Sequence, residues 1–350
     1  GMIPAHNFES AIFLAYGVTT MFDPSTTSID PFPTAELIEV GQSIGPRMFT
    51  SAEALLANED YATNEVTSLE QALREVGRRK SWGSPMVKQY NQPTRRQRQW
   101  IVEAVRRLGI RTTAEGSNDL YYKLGLVMDG HTGGEHLAVQ APLYGDLLTF
   151  MAQADYVYSH TPLVSGFGAW NDEWFWQEST LWKDAKLQRW TPWRELIPHT
   201  RRVVMRPESD YSKDVVAQSV TDFIALGGRS AIGSHGQEQG IASHWDVWML
   251  AKAAGPLTAL EVASMHGARF LGMEDDLGSI APGKLADLMV LDANPLDNIR
   301  NTASIRHVMK AGRLYAGDSL DELWPRAMPF GNYYWVVPEM YRVDAKRIER

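Results

Sequence analysis

The sequence predicts an α/β protein: a TIM-like (β/α) barrel over residues 1–272, a small β module over 273–318, and an extended tail over 319–350. Three observations carry that prediction. Short β-rich runs alternate with helical stretches through most of the chain, ionisable side chains recur at the ends of those runs, and the pattern changes near residue 272.

The strand candidates, in order, are 17–22, 47–50, 84–90, 110–114, 134–136, 156–158 and 230–233. Between them lie helical patterns such as Arg95 to Leu108, with apolar Trp100, Ile101, Ala104 and Val105, and Lys213 to Leu226. Alternation of this kind means βαβ units and a parallel sheet. Seven candidates are one short of the eight strands that close a barrel. Gly166 to Arg202 breaks the rhythm and is crowded with Trp170, Trp174, Trp176, Trp182, Trp190 and Trp193. It follows a strand, and loops after barrel strands lie on the catalytic face. An aromatic pocket wall or lid, and a patch covering the barrel side or a subunit contact, are equally good readings.

Beyond residue 272, Pro282-Gly283 sits between the β-rich runs 277–281 and 285–291, and Ala311-Gly312 separates Ile305–Val308 from Arg313–Tyr315. Both read as hairpins. The last 30 or so residues, rich in aromatics and Pro, read as an extended tail.

Composition narrows the function classes. The 350 residues are 44% hydrophobic and carry a net charge of −8, with no concentrated basic stripe, so a nucleic-acid partner is not expected. Arg95, Arg96 and Arg98 read as the solvated face of a helix. The absence of cysteine excludes disulfides, thiolate zinc sites and a Cys nucleophile. No apolar run approaches the roughly 20 residues of a membrane span, and no signal peptide is visible, so a soluble protein of unassigned compartment is expected. Gly1 before Met2 reads as a processing scar. Twelve Trp, thirteen Tyr and eleven Phe suit both a lined cleft and an ordinary core.

The chemistry lies at the strand ends, where barrel enzymes place it. Lys88 ends one strand, Glu115 follows the next, His136 the next, His160 follows Tyr158-Ser159, and His235 follows the last in Gly233-Ser234-His235-Gly236. A Lys among strand hydrophobics must find a counter-charge, lose its proton or be modified. Histidine and carboxylate on neighbouring strand ends are ligands that zinc accepts. Each residue has a bland alternative, a hydrogen-bonded structural His or a buried salt bridge; their recurrence at successive strand ends favours chemistry. No Gly-x-Ser-x-Gly elbow and no phosphate-cradling Gly-x-Gly-x-x-Gly accompanies them.

Several segments carry a likeness: Gly17-Val18-Thr19-Thr20 with Asp23-Pro24, Lys88-Gln89-Tyr90, Asp129 to His136, Gly233 to Gln237, and His244-Trp245. With Gly278 to Leu288 and Asn294-Pro295-Leu296, they resemble the metal-dependent amidohydrolases, in the imidazolonepropionase- and prolidase-like branch often fused to a β-propeller. The likeness covers roughly residues 12 to 316. It implies a divalent metal, zinc foremost, held by Lys88, Glu115, His136 and His235, with Lys88 in the position of a bridging carboxylated lysine. It also implies that His235 and His160 serve catalysis, His235 standing where the family has its Asp base.

The departure from the family is upstream. Members have a first strand ending His-x-His, and no His-x-His occurs in these residues. The resemblance therefore implies a barrel incomplete at strand 1, a partial β-sandwich, and metal that is weak, single or absent. The activity implied is hydrolysis of an amide or cyclic amide C–N bond in a small or peptide-like substrate, impaired here. A catalytically silent barrel, binding a small ligand or serving as a truncated partner subunit, is the alternative. Open strand edges invite pairing, so residues 1–10, the tail or a second copy in a homo-oligomer are expected to cover them.

Overall fold

A computed structural model describes residues 8–27, 29–56, 65–115, 119–136, 142–201 and 204–331. Eight short parallel strands run through the first part: β1 (Thr20–Asp23), β2 (Arg47–Thr50), β3 (Leu55–Leu56), β4 (Met86–Tyr90), β5 (Arg111–Glu115), β6 (Gly133–Glu135), β7 (Val157–Ser159) and β8 (Arg229–Ala231). They form three ladders, β1–β2, β3–β4–β5 and β6–β7–β8. The sequence reading missed β3. It follows β2 closely, pairs with β4 while β2 pairs with β1, and is separated from β2 by Ala52 at φ 57°. β2 and β3 thus act as one broken strand, which leaves seven ring positions among the described residues.

Interior packing shows that the ladders surround one axis. Phe22 of β1, Met86 of β4, Val157 of β7 and Ala231 of β8 pack around Phe270, carried on the helix Gly267–Leu271. Gly133 of β6 faces the same ring: a Cβ there would lie 2.7 Å from Phe270 Cε2 and 2.9 Å from Val157 O. A larger residue would push the plug out. This end of the strands is therefore closed by side chains, and the other end is the mouth.

The seams between ladders are closed by side chains. Thr132 Oγ1 accepts from Thr112 N at 3.0 Å and donates to Thr112 O at 2.7 Å, standing in for a backbone rung between β5 and β6. No ladder joins β8 to β1 among the described residues. There His266, ending the π-helical turn Val262–His266, brings Nδ1 to 3.4 Å from Ser230 N and 3.2 Å from Ser230 O. This stretch of edge is thus covered by the chain's own residues 262–271, a segment the sequence reading did not nominate. Residues 1–7 and 332–350, two that it did, lie outside the described residues.

The helix Arg95–Leu108 falls where the 3.6-residue spacing puts it. Thr94 and Gln97 form a capping box, and Gly109 closes it at φ 66°. Its basic run is not wholly solvated, however. Arg98 is buried and its Nε meets Asp129 Oδ2 at 2.9 Å, because the neighbouring helix Leu120–Asp129 ends in a buried carboxylate that needs a cation. The tryptophan segment is largely helical rather than a loop, with helices Asp172–Glu178, Ala185–Trp190 and Trp193–Arg201. Trp176 and Trp190 join the largest core cluster with Ile12, Trp245 and Val308, so those two cover the barrel side, while Trp170 stays 56% exposed.

The C-terminal module is an antiparallel sheet in the order β12 (Glu322–Trp324), β11 (Arg313–Ala316), β10 (Ile305–Lys310), β9 (Leu288–Leu291). The β10–β11 hairpin matches the reading at Ala311-Gly312. The expected hairpin at Pro282-Gly283 does not form: residues 277–287 hold no strand, and β9 pairs with β10. The expected tail contributes β12. Buried His244 links module to barrel, with Nδ1 2.9 Å from Thr302 Oγ1 and Nε2 2.9 Å from Tyr16 O. Among the described residues no helix is long and apolar enough to cross a membrane.

Candidate active site

Period-two alternation decides which strand residues face the axis. Met86 faces Phe270, so Lys88 and Tyr90 share its side of β4; Gly133 does likewise, so Glu135 faces in from β6. Glu115 ends β5 beside them. Lys88, 3% exposed, places Nζ 2.7 Å from Glu115 Oε2 and 3.0 Å from Glu135 Oε2. Tyr90 donates its hydroxyl to Glu115 Oε1 at 2.7 Å, and Thr113 donates to Glu135 Oε1 at 2.8 Å.

By alternation His136 would point to the helix side. Its φ of 60° turns it instead towards the mouth, where Nε2 lies 3.4 Å from Glu115 Oε1 and its ring stands 5.1 Å from that of His235. Asn91, Thr161 and His235, each at or just beyond a strand end, also have positive φ. Backbone strain of this sort gathers at functional sites. Thr161 Oγ1 meets His136 Nδ1 at 2.7 Å and is itself 2.9 Å from Ser165 Oγ. His235 is exposed; its Nδ1 lies 3.2 Å from Gln237 Oε1, and Gln237 donates to Asp172 Oδ2 at 3.1 Å.

The electrostatics follow from burial and pairing. Burial disfavours the Lys88 ammonium, but the charges of Glu135 and Glu115 outweigh it and its pKa rises. Burial raises the Glu115 carboxyl, and the His136 hydrogen bond with the Lys88 charge more than reverses this, holding it well below the usual carboxylate range. Burial and the hydrogen bond to Glu115 push the Tyr90 phenol up to about 12. Lys123, which donates to His136 O at 2.9 Å, is brought down to about 8 by burial, against the pull of Glu115 and Glu135. Burial raises the Asp23 carboxyl at the end of β1, while the Lys88 charge pulls the other way.

Of the residues the sequence singles out, Lys88, Glu115, His136 and His235 are brought together, and His160 is not. Tyr158 packs against the helices and Val157 against Phe270, so His160 falls on the helix side. Its Nδ1 donates to Ser230 Oγ at 2.6 Å, since that hydroxyl already donates to Tyr158 O. Burial drives its pKa down to about 4. Strand ends alone, without their two-residue parity, do not separate axis-facing from helix-facing residues. The same parity, applied to Gly133-Gly134-Glu135, would have found Glu135; Thr161 and Lys123 carry no signal in sequence.

As they stand, these donors do not fit a divalent metal. The two inward carboxylates are engaged by the Lys88 ammonium, and both His136 nitrogens have partners. Among the described residues no three His, Asp or Glu side chains converge at metal-binding spacing.

Residues 197–315 match the amidohydrolase family. A 5-methylthioadenosine/S-adenosylhomocysteine deaminase of Teredinibacter turnerae (strain ATCC 39867 / T7901) is 48% identical over 40 residues, 11% of this chain and 9% of that protein. The adenine deaminase 3 of Rhizobium meliloti (strain 1021) is 49% identical over 45 residues, 12% of this chain and 8% of that protein. Each match therefore spans under a tenth of the curated relative. Among solved structures, a Xaa-Pro dipeptidase with methionine bound in its active site superposes with a TM-score of 0.65 at 20% identity, covering 88% of this chain and 77% of that one. A putative prolidase from Bifidobacterium longum gives 0.64 at 20% identity, covering 93% and 77%.

Proposed function

From an amidohydrolase-superfamily fold of the prolidase-like kind, with the family's sequence pattern over 197–315, we propose a hydrolase of amide or cyclic amide C–N bonds acting on a small peptide-like substrate. The observation that supports this most is the convergence of Lys88, Glu115, Glu135 and His136 at the mouth of the parallel strands. In this reading Lys88 and Tyr90 fix Glu115, Thr161 fixes His136, and exposed His235 takes the proton of the attacking water. A divalent metal would supply carbonyl polarisation and a water of lowered pKa, but no step is assigned through it, because the described donors do not hold one. In the finer reading the two histidines that the resemblance assigns to a first strand are not among these residues, and activity is impaired.

A silent, ligand-binding barrel is the second reading, favoured by Lys88 standing as the cation between both carboxylates. Amine release from Xaa-Pro dipeptides and N-acyl amino acids, with and without added zinc or manganese, separates the two. Hydrolysis that falls at least ~100-fold in His235→Ala, a change at an exposed position, supports the enzyme, on the usual scale for loss of an acid–base group. Binding without release in every condition supports the silent barrel.

A further inference from the structure

Just beyond β8 the chain makes a tight turn, closed by Gln237 N donating to Ser234 O at 3.2 Å. Both residues inside it have positive φ, His235 at 58° and Gly236 at 74°. Fully buried Asp246 anchors the approach to the turn, accepting from Gly233 N at 3.0 Å. The turn sets the Gln237 amide against the His235 ring, with Oε1 3.2 Å from Nδ1, while Nε2 of the same amide donates to Asp172 Oδ2 at 3.1 Å. Asp172 comes from the tryptophan segment and is placed by its neighbour. Asn171, fully buried, donates Nδ2 to Pro162 O at 2.6 Å and its N–H to Leu163 O at 2.8 Å. Burial raises the Asp172 carboxyl, and the Gln237 hydrogen bond counters this by favouring the carboxylate.

A carboxylate only accepts hydrogen bonds. Asp172 therefore faces the amino end of the Gln237 amide, which turns the carbonyl end to His235. That carbonyl also only accepts, so the proton of the neutral imidazole sits on Nδ1. Nε2, with no partner among the described residues, keeps its lone pair. His136, whose ring stands 5.1 Å away, is held the other way: Nε2 meets Glu115 Oε1 at 3.4 Å, so a proton is there, and Thr161 occupies Nδ1. Of these two imidazoles, His235 alone has a nitrogen open to accept a proton. We propose that Asp172 and Gln237 form a relay that fixes the tautomer of His235, Asp172 orienting the amide and the amide holding the proton on Nδ1. Both are positioning residues, acting through the imidazole as an Asp behind a catalytic His does directly. The inference rests on the proposed role of His235 as proton acceptor, and it gives the tryptophan segment a part in the site.

Long-range 1H–15N correlation spectra of the full chain, with histidine 15N-labelled, read the tautomer directly at about pH 8, where an imidazole of usual pKa is neutral. His235→Ala identifies the resonances. Wild-type His235 is expected to show a pyrrole-type Nδ1 and a pyridine-type Nε2, the reverse of the form that unassisted histidine prefers; the partner of one nitrogen sets the state of the other. Gln237→Met, at a half-buried position, removes the amide and is expected to return the proton to Nε2. Asp172→Asn offers a donor as well as an acceptor, so the Gln237 amide can reverse and the two forms mix. The His136 resonances are expected to stay unchanged in both variants. A wild-type proton on Nε2, or an Nδ1–H form unchanged in either variant, would overturn the relay. So would a His136 signal that shifts together with that of His235, since the two residues would then act only through general packing. The spectra do not depend on turnover: an Nδ1–H form in a protein that releases no amine keeps the relay and removes only the hydrolytic role of His235.

Discussion

Single side chains at the mouth act through one another. Lys88 is buried, and its ammonium is sustained by two carboxylates; removing either would leave charge buried and uncompensated. His136 is oriented twice, by a left-handed backbone and by Thr161. Partners that orient an active-site His are usually worth about 10–100-fold in activity. Thr161→Ala is therefore expected to lower kcat/KM for amide hydrolysis by about tenfold or more, and Thr161→Ser, which keeps the hydroxyl, to restore most of it. Equal loss in both variants would make Thr161 a packing residue only.

At the scale of elements, the seams hold the ring together. Thr112 is fully buried, and its N–H and C=O both depend on the Thr132 hydroxyl. Thr132→Val would leave two buried backbone groups unpaired, at a cost of about 3 kcal/mol. Urea unfolding measures this, and an unchanged midpoint would show the seam closed by other means. The strands and the Arg95–Leu108 helix were legible in sequence because alternation, the capping box and Gly109 are local signals. Strand β3 was not: two residues after a kink at Ala52 carry no periodicity, and only pairing with β4 makes them a strand. The tryptophan segment hid its helices because its apolar residues face several partners at once, Trp176 and Trp190 into the core and Trp170 to solvent. At the site, residue types and strand ends were legible but parity and backbone sign were not, so His160 was included and Glu135 passed over.

Across the whole molecule, buried histidines set the response to acid. Burial holds His131, His160 and His244 each down to about 4. Unfolded, these groups take up protons near pH 6.5, so between about 6.5 and 4 the unfolded chain binds more protons and stability is lost as pH falls. His266, lowered by burial, adds to this loss, while Glu9, Asp23, Asp172 and Asp246, raised by burial, work in the opposite sense at lower free pKa values. The thermal midpoint is expected to fall steadily from pH 6.5 to 5 by calorimetry, and a flat or rising midpoint would mean that these imidazoles are not buried in the neutral form. On the proposed function the mouth cluster is a reaction centre, and a centre built for hydrolysis binds the tetrahedral transition state more tightly than the substrate. The most direct measurement is the ratio of dissociation constants, by calorimetry, for an N-acyl amino acid and its phosphonamidate analogue, with His235→Ala as control. A preference of at least ~100-fold for the analogue, lost in the variant, is the result expected of a C–N hydrolase; a ratio near one in both proteins would contradict it.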